Sequence, residues 1–121
     1  MSKTILTVDD SRTMREMLRM VLNDAGFRVI EAEDGINGLE VLRAQPPDII
    51  ITDINMPRLD GFGFIEEVRR DAQHRALPIL VLTTESDAEK KARARRTGAT
   101  GWIVKPFHPG KLLEAIRRVA A

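Results

Sequence analysis

Short apolar runs alternate along the chain with longer amphipathic segments. The runs are rich in β-branched residues and predict strands at 4–8, 28–31, 48–52, 78–82 and 101–104. Three of them are almost continuously apolar, namely ILTV at 5–8, III at 49–51 and ILVL at 79–82. Continuous apolar runs are typical of strands buried on both faces, as in a parallel sheet that helices cover on either side.

Helical periodicity fills the intervals between these strands. The first interval carries apolar residues at i, i+3, i+4, i+7, i+8 and i+11, which form one stripe along a helix. The members of that stripe are Met14, Met17, Leu18, Val21, Leu22 and Ala25. Further helices are predicted at 34–44 with Asp34 as N-cap, at 62–72, at 86–97, and from Pro109 to the end of the chain. Gly26 and Gly98 are expected to follow the first and fourth helices.

The order of elements is a strand followed by a helix, repeated five times. Right-handed crossovers then place helices on both faces of an open parallel sheet. The predicted fold is therefore a doubly wound five-stranded parallel α/β sheet of flavodoxin-like (βα)5 type, with strand order 2-1-3-4-5. At 121 residues, the chain is expected to form a single domain over 1–121.

Composition and charge narrow the classes of function. The chain has no cysteine, which excludes disulfides, thiolate metal sites and cysteine catalysis. Its 19 basic and 18 acidic residues leave a net charge of +1, which gives no general attraction to nucleic acid or to anionic membranes. The apolar runs fall far short of the roughly 20 residues that a membrane-spanning helix needs. We expect a cytoplasmic protein and no membrane or nucleic-acid partner.

Polar residues follow four of the five predicted strands at the same edge of the sheet. Asp9 and Asp10 follow the first strand, Asp53 follows the third, Thr83 ends the fourth and Lys105 follows the fifth. Open α/β sheets bind ligands at the carboxyl ends of their strands, beside the point where the strand order reverses. Taken singly, each residue also has an ordinary explanation as a helix cap, a turn former or a solvated charge.

The chemistry of this cluster points to a cation and a phosphoryl group. Three neighbouring carboxylates repel one another unless a cation joins them, and an all-oxygen set favours Mg²⁺. The ammonium of Lys105 beside that cation is unfavourable unless an anion lies between the two, and a phosphoryl group is such an anion. Asp53 is the best nucleophile, because it lies between the Asp9 and Asp10 side and the Thr83 and Lys105 side.

These residues resemble the motifs of the response-regulator receiver domain, and the resemblance extends over the whole chain. The stretches that carry it are Val8-Asp9-Asp10-Ser11, Asp53 with Met56-Pro57-Arg58-Leu59-Asp60-Gly61, Leu82-Thr83-Thr84, and Lys105-Pro106-Phe107. Within the family the chain is most similar to the stand-alone chemotaxis regulators, through its 10–15 stretch and the absence of an output domain.

The resemblance implies a phosphorylation site and a metal site. Asp53 would accept a phosphoryl group from a phosphohistidine on a sensor histidine kinase. Mg²⁺ would be held by Asp10 directly, by Asp9 in part through water, by Asp53, and by the backbone carbonyl of Asn55. The protein would then be a phosphate-accepting switch rather than an enzyme with turnover on an external substrate.

The resemblance also implies roles for residues around the phosphoryl group. Thr83 and Lys105 would each contact one phosphoryl oxygen, and the Lys105–Pro106 peptide bond would be cis. Trp102 would be the switch aromatic, where the family usually has Tyr or Phe. Asn55 and Glu85, each two residues after a site residue, would tune the hydrolysis of the phosphoryl group.

Several outputs are open at this point. We expect a monomeric protein whose phosphorylation controls its binding to another protein. The expected target is a flagellar motor switch component, and a dedicated phosphatase is a further partner. A phosphate sink or phosphorelay shuttle would share all of this chemistry. A metal-dependent phosphohydrolase would need a second acid two positions after its nucleophile, where this chain has Asn55. A flavin-binding protein would need a loop rich in Ser, Thr and Gly after the first strand, where Asp9 and Asp10 would repel phosphate.

Overall fold

A computed structural model describes residues 2–120 and confirms the predicted α/β architecture. The strands are β1 (Thr4–Val8), β2 (Arg28–Ala32), β3 (Ile49–Thr52), β4 (Ile79–Thr83) and β5 (Gly101–Val104). The helices are α1 (Arg12–Asp24), α2 (Gly35–Ala44), α3 (Gly61–Arg70), α4 (Ala88–Thr97) and α5 (Pro109–Ala120), with a 3₁₀ turn at Ala72–His74. All strand pairs are parallel, and the order is β2-β1-β3-β4-β5. None of the helices within residues 2–120 is long and apolar enough to cross a membrane.

Capping residues explain where the helices differ from the predicted bounds. α4 begins two residues later than predicted, because the Asp87 carboxylate accepts a hydrogen bond of 2.8 Å from the backbone N–H of Glu89. α3 ends at Arg70 rather than at residue 72, because Asp71 is extended and caps the following 3₁₀ turn. Asp34 caps α2 as predicted, and Gly26 and Gly98 follow α1 and α4 with φ of 92° and 126°.

The core consists of two apolar layers, one on each face of the sheet. β1, β3 and β4 contribute side chains to both layers, as their continuous apolar runs predict. One layer lies under α2, α3 and α4, and it includes Leu6, Ile50, Leu42, Phe64 and Ala94. The other lies under α1 and α5, and it includes Ile5, Ile49, Leu18, Leu22 and Ile116.

The stripe predicted for α1 is only partly buried. Leu18 and Leu22 are 1% and 0% exposed, whereas Met17 is 48% exposed and Ala25 is also exposed. Ala25 lies just after the end of α1 as its C-cap residue, so the stripe within the helix ends at Leu22. α1 contacts the sheet along a narrow line centred on Leu18 and Leu22. Because successive residues of a helix are rotated by about 100°, Met17 lies away from that line and is exposed.

Strand register places the candidate site residues side by side. Val8 pairs with Thr52, and the backbone N–H of Asp53 donates to the Val8 carbonyl at 2.9 Å. Asp53 therefore leaves β3 beside the point where Asp9 leaves β1. On the other side, Thr83 pairs with Val104, so Lys105 leaves β5 beside the end of β4.

Gly61 allows α3 to begin directly against the end of β3. A Cβ at this position would lie 2.3 Å from the Asp53 carbonyl oxygen and 2.7 Å from the Ile54 Cα. Its backbone N–H also donates to the Ile54 carbonyl at 2.8 Å. The close approach is between two backbones, and neither can yield as a flexible side chain would.

We expect Gly61→Ala to lower the free energy of unfolding by about 2 kcal/mol, because the added methyl displaces backbone beside Asp53. Gly110→Ala is the matched control, since its nearest neighbour is the ring of the exposed His108 at 3.2 Å, which can move. Urea denaturation of both variants measures the difference. Equal stabilities for the two variants would contradict the close approach.

Candidate functional site

Three carboxylates meet at the carboxyl edge of the sheet. Asp9, Asp10 and Asp53 each offer one oxygen, and these atoms lie within 4.8 Å of one another. Asp9 is 2% exposed and Asp53 is 9% exposed, whereas Asp10 is exposed to solvent. Two of the three acidic groups are therefore buried in close proximity, which is costly unless a cation compensates their charge.

Lys105 supplies that compensation in the structure. Its Nζ donates to Asp9 Oδ2 at 2.8 Å and to Asp53 Oδ2 at 2.9 Å, and its side chain is only 10% exposed. The Lys105 backbone N–H donates to the Thr83 carbonyl at 2.7 Å, which fixes the start of the loop after β5. The Lys105–Pro106 peptide bond is cis. The ammonium thus bridges the two buried carboxylates directly.

The electrostatics of the bridge favour a charged lysine. Burial raises the pKa of Asp9, and this effect outweighs the opposing hydrogen bond and charge of Lys105. Burial also opposes charge on Lys105, but its hydrogen bonds to Asp9 and Asp53 and their charges outweigh that cost, so its pKa is raised. With all three carboxylates ionised, a single ammonium leaves the cluster with an excess of negative charge.

Backbone groups orient the remaining carboxylate oxygens. Asp9 Oδ1 accepts from the Ser11 N–H at 2.9 Å, and Asp53 Oδ1 accepts from the Ile54 N–H at 2.7 Å. Each buried carboxylate therefore has one oxygen held by the backbone and the other by Lys105. These contacts fix the orientation of both carboxylates.

The donor set fits a hard divalent cation. All candidate ligands are oxygens, with neither histidine nor cysteine among them. Mg²⁺ binds through one or two carboxylates and retains several waters, so a cluster with an exposed Asp10 suits it. The chemistry of the donors is thus compatible with the Mg²⁺ site that the sequence predicts.

Thr83 and the predicted switch residues lie on the other side of Asp53. The buried Thr83 hydroxyl oxygen accepts from the Glu85 N–H at 3.3 Å. The Glu85 carboxylate accepts from Asn55 Nδ2 at 3.0 Å and lies 3.2 Å from Lys90 Nζ, and both contacts lower its pKa. The half-buried Trp102 donates from its indole to the Glu85 carbonyl at 3.2 Å. Glu85 therefore connects the Asp53 loop, α4 and β5.

Arg15 is a site contact that the sequence pattern does not reveal. Its Nη1 donates to the Asp9 carbonyl oxygen at 2.5 Å, and its Nε lies 3.6 Å from the Glu31 carboxylate. The helical stripe of α1 marks Arg15 only as a polar position. Arg15 lies near the acidic loop because α1 begins at Arg12, whereas its contact with Glu31 depends on the packing of α1 against β2.

A family model provides the comparison that decides the identity. The response regulator receiver domain model matches residues 5–117. The chain is a member of the response regulator receiver domain family. The resemblance stated from the motifs is therefore correct, and it covers the aspartate cluster, Thr83 and Lys105.

Individual relatives of this receiver domain include chemotaxis proteins. The chain is 37% identical to chemotaxis protein CheY-3 of Vibrio cholerae over 116 residues, which cover 95% of this chain and 89% of that protein. The solved structure of Vibrio cholerae CheY4 is 44% identical with a TM-score of 0.94, covering 98% and 99% of the two chains. The receiver domain of the sensor histidine kinase PA1611 from Pseudomonas aeruginosa is 27% identical with a TM-score of 0.91, covering 99% and 98%; it has a magnesium ion in its active site cleft.

We expect Lys105→Met to lower the free energy of unfolding by about 3 kcal/mol in metal-free buffer, because two buried carboxylates lose their cation. Added Mg²⁺ should stabilise this variant more than the wild type, since the metal no longer competes with an ammonium. Urea denaturation with and without Mg²⁺ measures both effects.

Lys111→Met is the control for the loss of a lysine, because Lys111 is exposed on α5. Its stability should stay within about 0.5 kcal/mol of the wild type. If Lys105→Met were as stable as this control without metal, the Lys105 bridge would not stabilise the cluster.

Proposed function

We propose that this receiver domain is a switch that accepts a phosphoryl group from a histidine kinase on Asp53, with Mg²⁺ as cofactor. The observation that carries the proposal is the position of Asp53, whose buried carboxylate lies next to Asp9 and Asp10 and accepts a hydrogen bond from the Lys105 ammonium. A buried nucleophile with a cation already in contact matches the charge that phosphoryl transfer brings to this site.

The transfer step balances with the groups present. An Asp53 carboxylate oxygen forms a P–O bond as the P–N bond of the phosphohistidine breaks, and the released imidazole takes up a proton from solvent. Negative charge then moves outward from Asp53 onto the phosphoryl oxygens. Lys105 Nζ, 2.9 Å from Asp53 Oδ2, is close enough to follow that charge.

The proposed metal ligands are Asp9, Asp10, Asp53 and the backbone carbonyl of Asn55. Bound Mg²⁺ would neutralise charge on the transferring phosphoryl group. The magnesium ion in the active site cleft of the PA1611 receiver domain supports the same cofactor for this chain. Backbone N–H groups hold one oxygen of Asp9 at 2.9 Å and one of Asp53 at 2.7 Å, which fixes the orientation of both proposed ligands.

The proposed switch passes through Thr83 and Trp102 to α4, β5 and α5. The Thr83 hydroxyl would hydrogen-bond a phosphoryl oxygen, while Asn55 and Glu85 would tune its hydrolysis. α4 is suited to move, because Ala94 is its one buried residue and its other anchors are polar. These include the Lys90–Glu85 contact and the Arg93 guanidinium, 4.1 Å from the centre of the Phe62 ring.

The proposed output is protein binding in chemotaxis. Similarity to proteins named chemotaxis proteins supports a chemotaxis kinase as donor and a flagellar motor switch component as target, in the cytoplasm. We further propose that residues 1–121 act as a single receiver domain. The alternative is a phosphate sink or phosphorelay shuttle, and binding of a motor-switch fragment to the phosphorylated form alone would distinguish the two.

We expect acetyl phosphate with Mg²⁺ to add one phosphoryl group, and Asp53→Asn to prevent it, because the amide cannot attack phosphorus. Intact-protein mass spectrometry measures the product. Chelation of Mg²⁺ should abolish the labelling of the wild type. Equal labelling of Asp53→Asn and wild type would contradict the assignment of Asp53.

We expect beryllofluoride with Mg²⁺, which mimics the phosphoryl group, to change the emission of Trp102. Trp102 is the only tryptophan, and its indole contacts the Glu85 carbonyl two residues after Thr83. Thr83→Ala should remove most of that change while leaving Mg²⁺ binding intact. Fluorescence titration measures both. An unchanged spectrum in wild type shown by ¹⁹F NMR to bind beryllofluoride would restrict Trp102 to packing.

A further inference from the structure

Arg58 has an unusual backbone conformation for its residue type. Its φ is 66°, and within residues 2–120 it is the only residue other than glycine with a positive φ. Glycine is the ordinary choice for this left-handed region because it has no Cβ to approach the backbone, and asparagine offsets that approach with local hydrogen bonds of its short side chain. An arginine here therefore calls for a compensating interaction.

The compensating interaction is a bidentate ion pair with Asp34. Arg58 Nε donates to Asp34 Oδ2 at 2.7 Å, and Arg58 Nη2 donates to Asp34 Oδ1 at 3.0 Å. The Asp34 side chain is only 5% exposed, and its Oδ1 also accepts from the Asn37 N–H at the start of α2. Arg58 thus neutralises a buried cap, and the planar guanidinium fixes its own position relative to α2.

The loop between β3 and α3 is tethered on both sides of Arg58. The Leu59 carbonyl accepts from the Gly35 N–H at 3.1 Å, and a Cβ at Gly35 would lie 2.4 Å from that carbonyl oxygen. The Ile54 carbonyl accepts from the Gly61 N–H at 2.8 Å. The path of the loop is therefore fixed by the start of α2 at one point and by the end of β3 at another, and between them the Asn55 side chain donates to the Glu85 carboxylate at 3.0 Å.

We propose that Arg58 is a positioning residue for the Mg²⁺ site. By clamping the loop to Asp34, it presets the backbone at Asn55, whose carbonyl is the proposed metal ligand that comes from this loop. The inference rests on the proposed function, because it concerns the same Mg²⁺ site. It adds that the affinity for Mg²⁺ depends on the ion pair between Arg58 and Asp34 at the start of α2, although neither residue is a proposed metal ligand.

Electrostatics and positioning predict opposite signs for the loss of Arg58. Removing a positive charge near an acidic cluster strengthens cation binding if charge alone matters. Loss of the clamp instead frees the loop, so binding must order it and the affinity falls. The sign of the change therefore separates a positioning role from a general charge effect.

The test is Mg²⁺ titration of Arg58→Gly by isothermal titration calorimetry. Glycine accepts the positive φ without strain, so this variant removes the ion pair while sparing the backbone. We expect the affinity to fall about tenfold, as it does when groups that orient metal ligands are removed. The Mg²⁺ affinity of Arg58→Asn and of Asp34→Asn should also fall. Arg12→Gln is the charge control, because Arg12 is exposed near the acidic residues and forms an ion pair with the exposed Glu16. The Mg²⁺ affinity of this variant should stay equal or rise.

Amide hydrogen exchange in metal-free buffer gives a second readout. The N–H groups of Gly35 and Leu59 should exchange faster in Arg58→Gly than in the wild type. If the wild type binds Mg²⁺ and Arg58→Gly and Arg58→Asn bind it equally or more tightly, the positioning role is overturned. Unchanged amide exchange rates in Arg58→Gly would overturn it as well. Absence of Mg²⁺ binding in the wild type would overturn the proposed function, and the positioning role with it.

Discussion

The contact on which the site depends is the Lys105 ammonium between Asp9 and Asp53. Two buried carboxylates at adjacent strand ends repel each other, and the ammonium satisfies one oxygen of each at 2.8 and 2.9 Å. In the proposed function, Mg²⁺ and the phosphoryl group would bind at these same two oxygens.

The sheet can support this charged cluster, because almost none of the site's charge lies in the core of the sheet. β1, β3 and β4 contribute aliphatic side chains to both faces, and the ionisable residues of the site lie where the strands end, although β1 also contains the buried Thr7. The parallel register of β1 and β3 then places Asp9 beside Asp53, and the Lys105 side chain reaches both carboxylates from the end of β5. Loops instead adjust the site, as Gly61 does by its close approach and Arg58 does through Asp34.

The sequence predicted the parts of the molecule that follow local rules. Apolar periodicity predicted every strand, capping chemistry predicted Asp34 and Gly98, and strand ends predicted which polar residues would meet. Contacts between distant segments carry no such local pattern. Arg58 with Asp34, and Arg15 with Glu31, are arginines on polar positions until the fold brings them to their partners. Met17 is exposed for a related reason, since helix periodicity does not tell how wide a face the sheet covers.

The central claim is that Lys105 exchanges its carboxylate partners for the phosphoryl group when Mg²⁺ enters the aspartate cluster. A crystal structure of the protein with Mg²⁺ and beryllofluoride tests it most directly. The account predicts the metal among Asp10, Asp53 and the Asn55 carbonyl, with Lys105 Nζ moved from the Asp9 carboxylate to a fluoride on Asp53. A metal bound elsewhere, or a Lys105 that still bridges Asp9 and Asp53 in the liganded protein, would contradict it.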